Sequence, residues 1–273
     1  MRHKITGIVI GLFVTMSLLT SSILAQSSNE VVVPLSNPAK RGKLKAHLNA
    51  GSITVKGTAR KDVVVKYNSE GNNNERNKEK IKDGLHRISG GTIDLEVSEN
   101  DNFIKVGSES MGNELNLEIE VPSEFDLEIS TYNEGDIVIN MIQGELDITN
   151  YNGSITALNI SGSVLATTFN GDVKVTFDKV TDGSPMSYST FNGDIDLTLP
   201  AATKATLKMK TEQGEIFTGF EMAVKDSGPV QKKDAKSGVY KVTIDEWKRG
   251  DINGGGAEIT MKNYNGDIYV RKK

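Results

Sequence analysis

Five oxygen-bearing side chains each stand one residue after a glycine: Asp136, Ser154, Asp172, Asp194 and Glu215. Stacked in successive turns of a coil, they would form a column of carboxylates. Such a column suits a hard cation such as Ca2+, which takes about six to eight oxygen ligands. Calcium-binding β-rolls also repeat every nine residues, but they carry two or three glycines and an Asp inside each repeat. Here the second glycine is missing, and the alternate turns carry Glu145 and Ser163. The simpler reading gives these side chains to the amides of the turns. No metal site is expected, and a calcium-binding β-roll-like module is the alternative.

Two other constellations bear on chemistry. Thr149, Thr167 and Ser189 form a hydroxyl column that Thr131 is expected to start. Regular hydroxyl arrays suit ice or glycan surfaces, but Thr is also at home on any pleated face. Catalysis finds less support. Beyond the first 25 residues the histidines are His47 and His86, both in the irregular N-terminal part. No Ser-His-Asp or metal-ligand spacing is present, and carboxylate pairs are too common to single out. No catalytic residue and no cofactor is expected. A carbohydrate-active β-helix enzyme is the remaining alternative, since a fold does not by itself set a function.

The segment that must position these residues runs from Thr131 to Thr176. Glycines recur there every nine residues, at Gly135, Gly144, Gly153, Gly162 and Gly171. Apolar residues take the second and fourth places after each, as in Ile155 and Ala157 or Val173 and Val175. That is the period-two pattern of half-buried strands. A fuller motif returns every eighteen residues: Tyr151-Asn152-Gly153-Ser154-Ile155, then Phe169-Asn170-Gly171-Asp172-Val173. It recurs as Phe191-Asn192-Gly193-Asp194-Ile195, as a degenerate copy ending in Gly214, and as Tyr264-Asn265-Gly266-Asp267-Ile268. Asn-Gly between strands normally reads as a hairpin. A meander of hairpins has no need of the longer period, whereas a coil of two strands and two turns does. We therefore expect an all-β chain: a single-stranded parallel β-solenoid of about 18–22 residues and two strands per coil. The crossover rule makes it right-handed. Tyr151, Phe169 and Phe191 should form an aromatic column, and Asn152, Asn170 and Asn192 an Asn column.

Arg2 and Lys4, a mostly apolar run from Ile5 to Leu19, and Ile23-Leu24-Ala25 read as a secretory signal spanning residues 1–25. Its removal would take two basic groups, moving the formal charge from −4 to −6. That balance argues against nucleic acid. No later apolar run is long enough to span a bilayer, so no transmembrane segment is expected after cleavage. The chain has no cysteine, which closes lipid anchoring, disulfides and thiolate metal sites.

Residues 26–273 read as one solenoid domain, with regular coils over about 129–220 and irregular coils at both ends. Val31–Val33 and Val63–Val65 are short strands, and Ala50-Gly51-Ser52-Ile53 resembles the later turns. Asn68 to Gly84 reads as a solvated excursion with a helical turn around residues 79–82. Strand patterns resume over Gly90–Val97 and Leu115–Val121. Glu221 to Gly238, with Gly228-Pro229, reads as a loop; Tyr240, Val242 and Ile244 as a strand; Trp247 to Gly256 as a glycine-rich excursion.

These motifs resemble the bacterial β-strand-repeat proteins known as putative adhesins, formerly a domain of unknown function. The likeness rests on the phased aromatic-Asn-Gly turns, on Val121-Pro122 before the first regular coil, on Leu199-Pro200, and on the last glycine-rich run followed by Asn-Gly-Asp-Ile. The resemblance implies an exported β-solenoid of the cell envelope, periplasmic, outer-surface or secreted, and supplies no catalytic residues. A glycan or an envelope protein is the expected partner.

Overall fold

Alternation forces a strand to bury every second side chain, and a flat coil has only its neighbours with which to close that face. The structure, a computed structural model, describes residues 29–69, 81–82, 85–86, 95–108, 114–226, 230–233, 240–243 and 247–273. Twenty strands among them join into one continuous hydrogen-bonded sheet, and no helix occurs among the described residues. The expected parallel stacking is present. Ile155–Thr167 pairs in parallel with Gln143–Asn150 on one side and Met186–Ser189 on the other. Ile137, Ile155, Val173, Ile195 and Ile268 lie directly above one another and are fully buried. Each such side chain contributes about 2 kcal/mol through removal from water.

Each coil has two strands that face one another across this core. Along the stack axis the coils follow the order 103–122, 42–58, 125–140, 143–158, 160–176, 186–199, 257–272 and 205–218. Spatial order therefore departs from chain order at both ends. The first coil, 42–58, lies between 103–122 and 125–140, and the last, 257–272, lies between 186–199 and 205–218. The chain skips a coil twice, at residues 123–124 and 201–204, and both skips follow a proline, Pro122 and Pro200. Proline cannot donate to a ladder, so it ends a strand where the chain must leave its neighbour. The Tyr264 copy of the motif is thus interior, not terminal: Asn265 bridges Asn192 on one side and Gln213 on the other.

The ends of the stack are covered by antiparallel strands, which the repeat does not announce. Asp62–Ser69 runs antiparallel to Leu115–Pro122, with Glu30–Pro34 outside it. Glu96–Asn100 covers Phe103–Ser108, and Lys248–Ile252 covers Ala205–Lys210. An open parallel edge would invite pairing with another chain, and these strands occupy most of it; among the described residues Ile216–Thr218 pairs only with Ile268–Lys272. The strand Lys248–Ile252 corrects the reading of residues 247–256 as a glycine-rich excursion. Ile81–Lys82, expected in a helical turn, pairs as a two-residue strand with Leu85–His86. Residues 1–25, read above as a secretory signal, the stretches 70–80, 83–84 and 87–94, Gly228-Pro229 and Ile244 lie outside the described residues, as does the side chain of His86.

Candidate interaction surface

The two turns of a coil differ in construction. At one corner the chain passes through the aromatic-Asn-Gly motif. Gly153 has φ 147°, and a Cβ there would fall 2.2 Å from the Gly135 carbonyl oxygen of the coil below. Only glycine fits both the dihedral and the approach. Gly135, Gly171, Gly193 and Gly266 occupy the same place with φ of 128° to 146°. Gly214 stacks on Gly266 in the end coil. Gly144 and Gly162, half a coil away, are not corner glycines. They lie inside strands, paired with each other. The bend there falls three residues earlier, at Met141 and Asn159, with φ of 58° and 56°. Gly144 is set by proximity, since a Cβ would lie 2.1 Å from the Phe125 oxygen, and Gly162 by proximity together with its φ of 155°, a Cβ there lying 1.9 Å from the Gly144 oxygen. The even nine-residue spacing thus merges two different requirements.

Four ladders climb the Asn-Gly corner. The outermost is aromatic: Tyr132, Tyr151, Phe169, Phe191 and Tyr264 stack with centroids 4.6–5.1 Å apart and planes within 3–20°. These rings remain 39–49% exposed. Next comes the Asn ladder, in which Asn170 Nδ2 donates to Asn152 Oδ1 at 2.8 Å, Asn192 to Asn170 at 2.7 Å and Asn265 to Asn192 at 2.8 Å. The third is the carboxylate column. Asp136, Asp172, Asp194 and Asp267 each accept, through Oδ1 at 2.8 Å, the amide of the equivalent residue one coil above, namely Ser154, Asp194, Asp267 and Glu215. Ser154 Oγ does the same for Asp172 at 3.2 Å. The Glu215 amide and the Tyr269 hydroxyl hold the Asp267 carboxyl below its ordinary range. The carboxylates are thus bonded to amides, and among the described residues no three metal-ligating side chains converge.

The fourth ladder is buried, and the sequence reading passed over it. Thr168, Thr190 and Thr211 donate their hydroxyls, and Asn150 and Asn263 their amides, to the glycine carbonyl of the neighbouring coil, at 2.8–2.9 Å. A signal was available, because a Thr or Asn precedes the aromatic in four successive copies of the motif, and Thr stands there again in the degenerate copy. The hydroxyl column foreseen one residue earlier exists in part. Thr149, Thr167 and Ser189 align, but Ser130 starts the column, while Thr131 turns inward and bonds Asn150. Sequence order also hid two of the five rings. Tyr132 lies one place out of phase, and Tyr264 belongs to a coil remote in the chain.

The stack does bring one Ser–His pair together. His47 Nδ1 lies 2.8 Å from Ser130 Oγ, and its Nε2 lies 3.3 Å from Asn49 Oδ1. Acyl transfer would also need free amides aimed at a developing oxyanion. The strand Phe125–Asn133 is paired on both sides, so its amides are engaged in the ladders.

Residues 131–253 match the model of the Toastrack DUF4097 family. The Toastrack match covers the middle coils and the skip after Pro200, and stops short of the interposed last coil. No curated protein matches the chain. Two solved structures do. A putative cell adhesion protein from Clostridium sporogenes ATCC 15579 superposes with TM-score 0.51 at 11% identity, over 89% of this chain and 99% of its own. A putative adhesin from Bacteroides fragilis NCTC 9343 gives TM-score 0.37 at 10% identity, over 90% and 98%. At such identity the first likeness is one of fold. Together with the Toastrack match, it bears out the resemblance to β-strand-repeat adhesins drawn from the turn motifs.

Proposed function

We propose that this is an exported, envelope-associated interaction protein without catalytic activity, which presents its Asn-Gly corner to a partner. The observation that carries this reading is the exposed ladder of five stacked rings, a continuous aromatic strip on the surface. Strips of this kind mark binding surfaces. The adhesion protein of similar fold supports the assignment, as does the signal-like N-terminus. Among the described residues no helix is long and apolar enough to cross a membrane.

The ladder favours a protein partner over a glycan. Sugars stack on ring faces, and here each inner ring has both faces covered by its neighbours. Ring edges are left for contact. Nucleic acid is disfavoured by the acidic balance. We take the coil to be right-handed, on the handedness of parallel crossovers.

Cell fractionation should recover the protein outside the cytoplasm with an N-terminus near Gln26. The purified protein should capture a partner that Phe169→Lys releases. Cytoplasmic retention, or a hydrolase screen that finds turnover where binding screens find no ligand, would overturn the proposal.

A further inference from the structure

We propose that two copies of this chain associate side by side along the ring ladder, with coil axes parallel and a two-fold axis running along the strip. This rests on the proposed reading of the strip as a binding surface and names a second copy of the chain as its occupant.

The strip is bounded. Below Tyr132 its place in the stack is taken by Asn49, and above Tyr264 by Glu212. Five rings of about 200 Å2 each, two-fifths exposed, offer about 400 Å2 of aromatic surface in one band. That is as large as the largest patch on an ordinary monomer. It supplies about half of the roughly 800 Å2 that each partner contributes to a stable complex. Flat edges in a straight row fit a second straight row, and this chain carries one.

The flanks choose the orientation. On one side of the rings run Asp136, Ser154, Asp172, Asp194 and Asp267. On the other run Ser130, Thr149, Thr167, Ser189 and Lys262. A two-fold axis along the ladder exchanges left and right but keeps height. The acidic row of each copy then faces the hydroxyl row of the other, with Asp267 level with Lys262. A two-fold axis across the ladder would instead set four carboxylates against four, which costs several kcal/mol.

The chain has no cysteine, so a single introduced one reports only on its own surroundings. Tyr132 and Tyr264 stand at opposite ends of the ladder, about 19 Å apart at the strand spacing. Facing strands of two packed copies lie about 10 Å apart, within reach of a short bismaleimide, whereas the two ends of the ladder are not. In the parallel pair, Tyr132→Cys alone and Tyr264→Cys alone each cross-link to themselves with that reagent. Sedimentation of the purified protein should show a dimer below about 100 µM, and Phe169→Lys should weaken it at least tenfold with unchanged circular dichroism. A chain that stays monomeric at about 200 µM overturns the proposal. So does a dimer indifferent to Phe169→Lys, or cross-linking only when the two cysteine variants are mixed. A monomer in which Phe169→Lys abolishes capture of a foreign protein also overturns self-pairing, and leaves the proposed function standing.

Discussion

The two corners of the coil follow different rules. At the Asn-Gly corner, four or five residues join the strands in each coil that carries the motif: 151–154, 168–172, 190–194, 211–215 and 263–267. At the opposite corner the connection is two residues at 141–142, five at 181–185, and whole excursions at 59–102 and 219–256. The difference teaches what fixes a coil. Ladders of Asn, Asp and aromatic side chains bond each turn to the next, so one extra residue breaks several hydrogen bonds at once. Without periodic side chains an insertion has little to break, and longer loops add closure cost slowly. One corner therefore holds the stack in register, and the other admits variation.

The same glycine substitution at the two corners gives the sharpest contrast. Gly171→Ala should cost about 3 kcal/mol or more, because φ is 146° and the new Cβ lies 2.3 Å from the Gly153 oxygen. Gly183→Ala at the variable corner meets no atom within 4 Å, and its φ of 79° should cost only about 1–2 kcal/mol. Chemical denaturation of the two variants measures the difference; equal losses would erase the distinction.

Thr168→Val tests the buried ladder. The Gly153 carbonyl would lose its partner, with a cost of about 1–2 kcal/mol. The exposed Thr167→Val, one residue away, should change stability by less than about 0.5 kcal/mol.

Asn263 is the ladder's weak member. Its Nδ2 bonds the Gly193 oxygen, but its buried Oδ1 has no partner. Asn263→Thr would keep the hydrogen bond, as Thr190 does one coil away, and remove the orphan atom. It should raise stability by about 1 kcal/mol, read as an increase in Tm. A loss would mean that the coil needs the longer side chain.

Acid should act on the corner most weakly. Asp267 releases its proton more readily in the folded chain than its ordinary value of 3.8 implies. Its contribution is full above that value and is lost as the pH falls through the lower folded value. Below pH 3.8, Asp267→Asn should therefore lose less of its Tm than the native chain does. Identical acid profiles would remove the carboxylate column from the account.

Much of this was legible because it is local and repeated. Ile155, Val173 and Ile195 carry the inward pattern, and Asn152, Asn170 and Asn192 sit where eighteen-residue spacing aligns them. What escaped was either out of phase or out of order. Tyr132 precedes an extra residue, Glu134, which takes up φ 43° so that the coil keeps its fit. The Asn265 turn stands 73 residues from its neighbour at Asn192. His47 and Ser130 meet across 83 residues for the same reason.

The sequence by itself determined which side chains face inward and where the coil must turn, because alternation and positive φ are properties of a few consecutive residues. Only the tertiary structure decided the order of the coils. Every coil offers much the same donors and acceptors on its two edges, so hydrogen bonding alone does not distinguish the next coil in the chain from a distant one. The skips after Pro122 and Pro200 open slots one coil high, and the first and last coils fill them because that buries their apolar rows on both sides.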